Sequence, residues 1–329
     1  MVVSKDNNDK RIVIRDYFKI DKNPVKGLLP LEWVMLVYMA LTVVVMLFSY
    51  TKLANPESMV WGRLRVLAIM GALWAVYRMV PCRVTHMARI LAQMLLLAWW
   101  YPDTYEINRM FPNLDHVFAG WEQQLFGCQP ALIFAKALPW AVVSELMDLG
   151  YFMYYPMIVI VSYYYFFCKY REFERATLVI YASFLIFYVV FLFVPVAGPT
   201  FYYEAVGLKD IAQGVFPALG DYFNSNSSCL PTPGYTDGIF YHLVEDAKAA
   251  GERPTAAFPS SHVSVSTVCM LLVWHVRNRR LFWALLPFYV FLCMATVYIQ
   301  AHYLVDALAG LLTGAMVYFL LMFATRRMK

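Results

Sequence analysis

The sequence predicts an all-α polytopic membrane protein with about eight transmembrane helices. Composition is the first observation: of 329 residues, 61% are hydrophobic and only 15% charged. Mean hydropathy is the second, at +0.54. The third is that several apolar runs reach the ~20 residues a helix needs to cross a hydrocarbon core. These runs carry no polar face, which a large soluble helical bundle would need. The formal charge of +5 adds little, because charge here mostly reports topology.

Residues 1–28 are polar and basic, with Lys10, Arg11, Arg15, Lys19, Lys22 and Lys26 interleaved with Ile12, Ile14, Tyr17 and Phe18. They serve either as a topogenic signal, the simpler reading, or as an interfacial segment drawn to anionic lipid. The first apolar run starts late and no small-residue cleavage site follows, so a cleavable signal is not expected.

Spans are expected at about 30–50, 64–81, 87–101, 146–167, 177–197, 259–276, 281–300 and 302–324. Residues 29–85 hold the first two, and 86–325 hold the remaining six. With both termini cytoplasmic, most of the 27 Lys and Arg residues fall on the inner side, as the positive-inside rule requires. The outer side then carries two long loops. Loop 102–145 contains Asp115, His116, Trp121 and Leu125, with an apolar patch at 131–138 between Pro130 and Pro139. That patch is too short to span and suits an interfacial or re-entrant helix, anchored by Trp121 and Trp140. Loop 198–258 is rich in Gly, Pro, Asn and Ser, and it leads into Pro259 as a lid would.

The six cysteines show no C-x-x-C or zinc-type spacing. Cys128 and Cys229 fall in the two outer loops, where a disulfide could form in an oxidising compartment.

Chemistry concentrates between Phe258 and Gly310. The stretch opens Phe258-Pro259-Ser260-Ser261-His262, crosses two apolar segments and returns with His302-Tyr303-Leu304-Val305-Asp306. His302 and Asp306 are four apart, so on a helix they share a face and the carboxylate can orient the imidazole. Pro259 suits a first helical turn, and Ser260 and Ser261 suit its cap. Free N–H groups at such a helix start can hold an anion. The predicted topology brings His262, His302 and Asp306 to one depth on the outer side. An intramembrane Asp costs about 2.5–3.5 kcal/mol on insertion scales, so three ionisable groups meeting there point to function.

This pattern resembles the type 2 phosphatidic acid phosphatase superfamily, whose second motif is Pro-Ser-x-His and whose third ends in His-x3-Asp. Pro259, Ser260 and His262 match the former, His302 and Asp306 the latter. Where the superfamily usually carries Ser-Arg before the second histidine, this chain has Ala295 and Thr296. The Lys and Arg-Pro of the first motif are also missing, and Pro195-Val196-Ala197-Gly198-Pro199-Thr200 stands near their expected place. Loss of both arginines resembles the inositol phosphorylceramide synthase branch and its bacterial relatives. The resemblance is specific over 258–310 and looser over 86–325, and it does not reach the first 85 residues. It implies a six-helix catalytic core over 86–325.

The resemblance further implies that His302 attacks phosphorus, Asp306 fixes its tautomer, and His262 protonates the leaving oxygen. N–H groups near Ser260 and Ser261 would hold the phosphate oxygens. A phosphate normally wants a guanidinium fork, and the outer-side cations available are Arg253, Lys209, Lys248, Arg109, Arg63 and Arg65. Arg253, just before the Pro259 turn, is the first candidate. The expected function is an integral-membrane lipid phosphotransferase, moving a phospho-head group between lipids through a phosphohistidine. The alternatives are an outer-face lipid phosphate or isoprenoid diphosphate phosphatase, and a non-catalytic lipid transporter on the same fold. The same three residues could instead form a two-His-one-carboxylate metal site, which has no obvious fourth ligand, or simply tie spans together. A membrane lipid is the expected substrate, and a lipid or water the acceptor. No cofactor, metal or nucleic acid is expected, and the sequence carries no signature of oligomeric state. The expected location is a bacterial inner membrane, with the active site on its periplasmic face.

Overall fold

The computed structural model describes residues 14–328 and, among them, consists of helices and connecting turns without strands. Lys10, Arg11 and Ile12 of the basic N-terminal segment lie outside the described residues. A single turn, α1 (Ile14–Tyr17), precedes α2 (Pro30–Ser49), α3 (Pro56–Met79) and α4 (Arg83–Asn108). Two short helices follow, α5 (Asp115–Phe126) and α6 (Pro130–Ala137). Next come α7 (Ala141–Phe152), α8 (Tyr154–Cys168) and α9 (Tyr170–Phe193). Three further short helices are α10 (Pro199–Val206), α11 (Leu208–Ala212) and α12 (Ile239–Gly251). The chain closes with α13 (Ser261–His275), α14 (Arg279–Tyr298) and α15 (Leu304–Ala324). Several starts follow from local chemistry: Pro30, Pro56, Pro130 and Pro199 each occupy a first-turn position, where a missing N–H costs nothing. Gly127 closes α5 in the left-handed conformation at φ +70°.

Helix α9 is the hub. It is buried on nearly every side, and α2, α4, α8, α13 and α15 all pack against it. A helix apolar all round belongs in such a position.

Among the described residues, five helices (α2, α3, α9, α14 and α15) are long and apolar enough to cross a membrane. A sixth joins them if α7 and α8, bent by 48° at their break, are one span. The other two expected spans are helical but do not qualify by length and composition. Helix α13 has only 15 residues, and α4 carries Arg83, Arg89, Asp103 and Glu106.

The loop boundaries also move. Helix α4 continues through Pro102 to Asn108, and α7 begins at Ala141, so both ends of the 102–145 region are helical. The apolar patch is α6, eight residues long, consistent with a helix that does not span. Region 198–258 is partly helical, and its α12 packs against α7. Cys128 and Cys229 are both free thiols.

Arg63 corrects an expectation. Read from the sequence as an available outer-side cation, it is buried and paired through both terminal nitrogens with Asp103, at 2.8 Å each. The ion pair joins α3 to α4, which explains how α4 tolerates an acid in its last turns. Removing one partner of such a buried pair would leave an uncompensated charge.

Candidate active site

Helices α13 and α15 meet because α15 offers glycine where α13 comes closest. A Cβ on Gly310 would lie 2.7 Å from the Ser260 carbonyl oxygen, and one on Gly314 would lie 2.6 Å from that of Ser264. This small-x3-small face lets two helix backbones touch. It sets the start of α13, which carries His262, beside the start of α15, which follows His302.

Ser260 is the N-cap of α13, as the sequence predicts, with its Oγ accepting from Val263 N at 3.4 Å. Ser261 is the first helical residue, so Pro259 stands before the cap and not within the first turn. The Ser260 N–H donates to the Asp306 carbonyl oxygen at 3.1 Å, which further ties the two starts together.

His302 lies in the turn before α15, not on it. Its Nδ1 is 2.8 Å from the Ala257 carbonyl oxygen. A carbonyl can only accept, so Nδ1 carries the proton and Nε2 presents its lone pair. Nε2 faces His262 Nδ1 at 3.4 Å. His302 is 4% exposed, and burial pushes its pKa down to about 4, against a smaller upward effect of the Ala257 bond. The ring is therefore neutral at physiological pH.

Asp306 departs from its expected part. Its Oδ2 lies 3.8 Å from His302 Nδ1, beyond hydrogen-bond reach, and accepts instead from Tyr303 N at 2.9 Å. The acid caps its own helix, while a backbone carbonyl fixes the histidine tautomer. Asp306 and His262 also lie toward opposite nitrogens of the His302 ring, so the three do not converge on one point as a two-His-one-carboxylate metal site would require.

His262 occupies different surroundings. Its ring stacks on Tyr151 at 4.7 Å and 25°, and packs against Tyr154 at 4.4 Å and 45°. Together with Ser261 it lines the head of a cavity of about 700 Å³ lined largely by α4, α8, α9 and α12. Of the candidate cations, Arg253 and Lys248 line this cavity. Lys248 is tied to Glu245 at 3.0 Å, whereas the Arg253 side chain is exposed and makes no ion pair among the described residues. Arg109 is engaged with Glu106 at 3.8 Å, and Lys209 and Arg65 are exposed away from the cavity lining. Thr296, where the superfamily's usual arginine stands, turns its hydroxyl to the Cys293 carbonyl at 2.9 Å and supplies no charge.

Three residues escape the sequence reading. Asp115 accepts from Ala197 N at 2.7 Å, Gly198 N at 2.8 Å and the Tyr303 hydroxyl at 3.0 Å. Its turn continues to the site, because Ala257 N donates to the Val196 carbonyl at 3.0 Å and the Ala257 carbonyl orients His302. Gly198 has φ +95°, and a Cβ there would lie 2.6 Å from the Ala301 carbonyl oxygen, so the turn requires glycine. Glu122, also on α5, accepts from Val305 N at 3.2 Å, and burial raises its pKa to about 7. Glu252 lines the cavity, and burial raises its carboxyl above the usual range. The only available signal was that Asp115 and Glu122 are seven apart, hence on one face of a helix.

A family model described as the PAP2 superfamily matches residues 116–320. The chain belongs to the PAP2 superfamily. The match starts in α5 and ends in α15, so it contains His262, His302 and Asp306 and leaves out α2 to α4. No curated protein and no solved structure matches the chain. PAP2 membership and the apolar helices together establish an integral-membrane protein of the phosphatase-type enzyme class.

Proposed function

We propose that the chain is a lipid phosphotransferase that works through a phosphohistidine, in the manner of the inositol phosphorylceramide synthase branch. The observation that carries this reading is the 3.4 Å approach of His302 Nε2 to His262 Nδ1 at the head of an apolar cavity. The lone pair of His302 Nε2 attacks phosphorus as the bond to the lipid oxygen breaks. That oxygen takes a proton from His262. An acceptor hydroxyl then returns a proton to His262 and attacks the phosphorus, freeing His302. Arg253 offers the unpaired cation, and the N–H groups at the Ser260–Ser261 helix start offer donors to the equatorial oxygens.

The absence of both motif arginines supports a singly charged phosphodiester donor over a doubly charged monoester. A lipid phosphatase is the second reading, favoured by the presence of both Lys248 and Arg253 at the cavity, which together could balance a dianion. Acceptor dependence separates the two. A phosphodiester donor should turn over faster with an added hydroxylated lipid than with water alone. Rapid hydrolysis of phosphatidic acid or an isoprenoid diphosphate, with no acceptor dependence for any phosphodiester, would establish the phosphatase.

The reading includes an eight-span topology, counting α4, α13 and the bent α7–α8 pair as spans. It places both termini in the cytoplasm and the site on the periplasmic face of a bacterial inner membrane. Cysteine labelling should reach residues of 198–258 from outside only, and positions 171 and 279 from the cytoplasm only.

A further inference from the structure

The cavity at His262 has direction. Its charged lining, Lys248, Glu252 and Arg253, gathers with His262 at the outer end. The far end is formed by Met87, Ile90, Phe173 and Thr177, from the inner turns of α4 and α9. Lining residues on α4 run from Met87 to Pro102 and on α9 from Phe173 to Tyr188. At ~1.5 Å per residue each row spans about 22 Å, most of a hydrocarbon core about 30 Å thick.

One wall is open to the outside of the helix bundle. Leu95 on α4 and Tyr155 on α8 both line the cavity, yet are 67% and 68% exposed. Val159 and Tyr163, one and two turns farther along α8, repeat the pattern. Helices α4 and α8 each pack on α9, and the slot lies between them. The inner end, by contrast, is closed. Phe173 is buried and meets Phe166 edge-on at 5.2 Å, and Tyr17 stacks on Phe166 at 5.4 Å.

We propose that this cavity is a tail chamber with a floor: it admits the alkyl part of the donor lipid sideways between α4 and α8, and Phe173 with Met87 sets the longest tail accepted. The proposal rests on the lipid-phosphate reading above. The chamber opens on His262 and not on His302, so its occupant is the group that leaves with the proton from His262. The P–O bond broken is therefore the one to the tail-bearing alcohol, and the phospho-head group stays with His302.

The test uses full-length His302→Ala protein, so that retention is read without turnover. Alkyl phosphocholines with octyl, dodecyl, hexadecyl, octadecyl and docosyl tails are offered as an equimolar mixture in one detergent, and the bound species are counted by native mass spectrometry. Retention should fall at least tenfold beyond one tail length. Phe173→Ala should move that limit to longer tails, and Met94→Trp, which fills the middle of the chamber, to shorter ones. Retained short tails in Met94→Trp show that this variant is folded. Retention indifferent to tail length, or a limit that neither variant moves, overturns the floor. A limit that moves as stated, in a protein whose wild type transfers no phosphate, keeps the chamber and removes the catalytic reading instead.

Discussion

The two helix starts that carry the histidines are built in opposite ways. At the start of α15, His302 is nearly fully buried, fixed through Nδ1 by the Ala257 carbonyl, and neutral. At the start of α13, His262 rests between two tyrosine rings, and its only hydrogen-bond-range neighbour among the described residues is His302. One ring is locked with its Nε2 lone pair aimed at the other histidine. The other sits at the head of the cavity of about 700 Å³. On the proposed mechanism, this contrast is what would divide two identical side chains into an attacking and a proton-carrying group: a fixed tautomer on one and access to the leaving group on the other.

The largest expected effect breaks the locked side. His302→Ala should abolish both transfer and hydrolysis for every donor, measured with purified protein in detergent; residual transfer above background would remove His302 from the attacking role. In His262→Ala the first step, read as the burst of released leaving group, should slow by several orders of magnitude with lipid donors and far less with donors bearing an activated phenol, whose departure needs no proton. Equal losses for both donor types would contradict its part as acid.

Asp306→Asn sharpens the comparison. If a carboxylate controlled the tautomer, its loss would cost about 10⁴-fold, as in the Ser-His-Asp triads. Here the tautomer is held by Ala257, and Asn keeps an acceptor for Tyr303 N. A loss of only about 10–100-fold in kcat is expected, and a 10⁴-fold loss in a folded protein would return tautomer control to the acid. Asp115→Asn replaces an oxygen that accepts backbone N–H bonds with an amide that can donate against them. The expected cost is about 1–3 kcal/mol of stability, read as a lower Tm, with kcat falling more than KM rises.

The smallest effect is on pH. Because His302 titrates near 4 and not near 6.5, kcat/KM should hold as pH falls through 6 and decline only as it nears 4. An acid limb at 6.5 would mean that His302 is not the buried, neutral group described. Glu122 runs the other way. Its folded pKa is raised above its unfolded value, so its contribution to stability is full below about 4.5 and is lost as pH rises through about 7. Glu122→Gln should flatten the fall in Tm between pH 5 and 8.

Much of this was legible in the sequence, for physical reasons. Apolar runs revealed the helices, and the two motifs pointed to the two helix starts that the structure sets side by side. Asp115, Glu122 and Ala257 were not legible in this way. The two acids lie in a region that reads as a polar outer loop, and their partners are backbone N–H groups 82 or more positions away. A carbonyl that orients a histidine has no signature at all, since every residue has one. Tyr151 and Tyr154 looked like two among 24 tyrosines of a membrane protein until the bend between α7 and α8 brought them to His262. Arg63 looked free because its partner is 40 positions on.

The proposed division of labour between the two histidines is tested most directly by a trapped intermediate. In His262→Ala, a donor with an activated phenol should still phosphorylate His302, while the return step, lacking its base, stalls. Quenching such a reaction with a phosphorus-labelled donor and mapping the label by peptide mass spectrometry should find an acid-labile group on His302. Turnover that continues with no label at His302, or with label on another residue, would contradict the account.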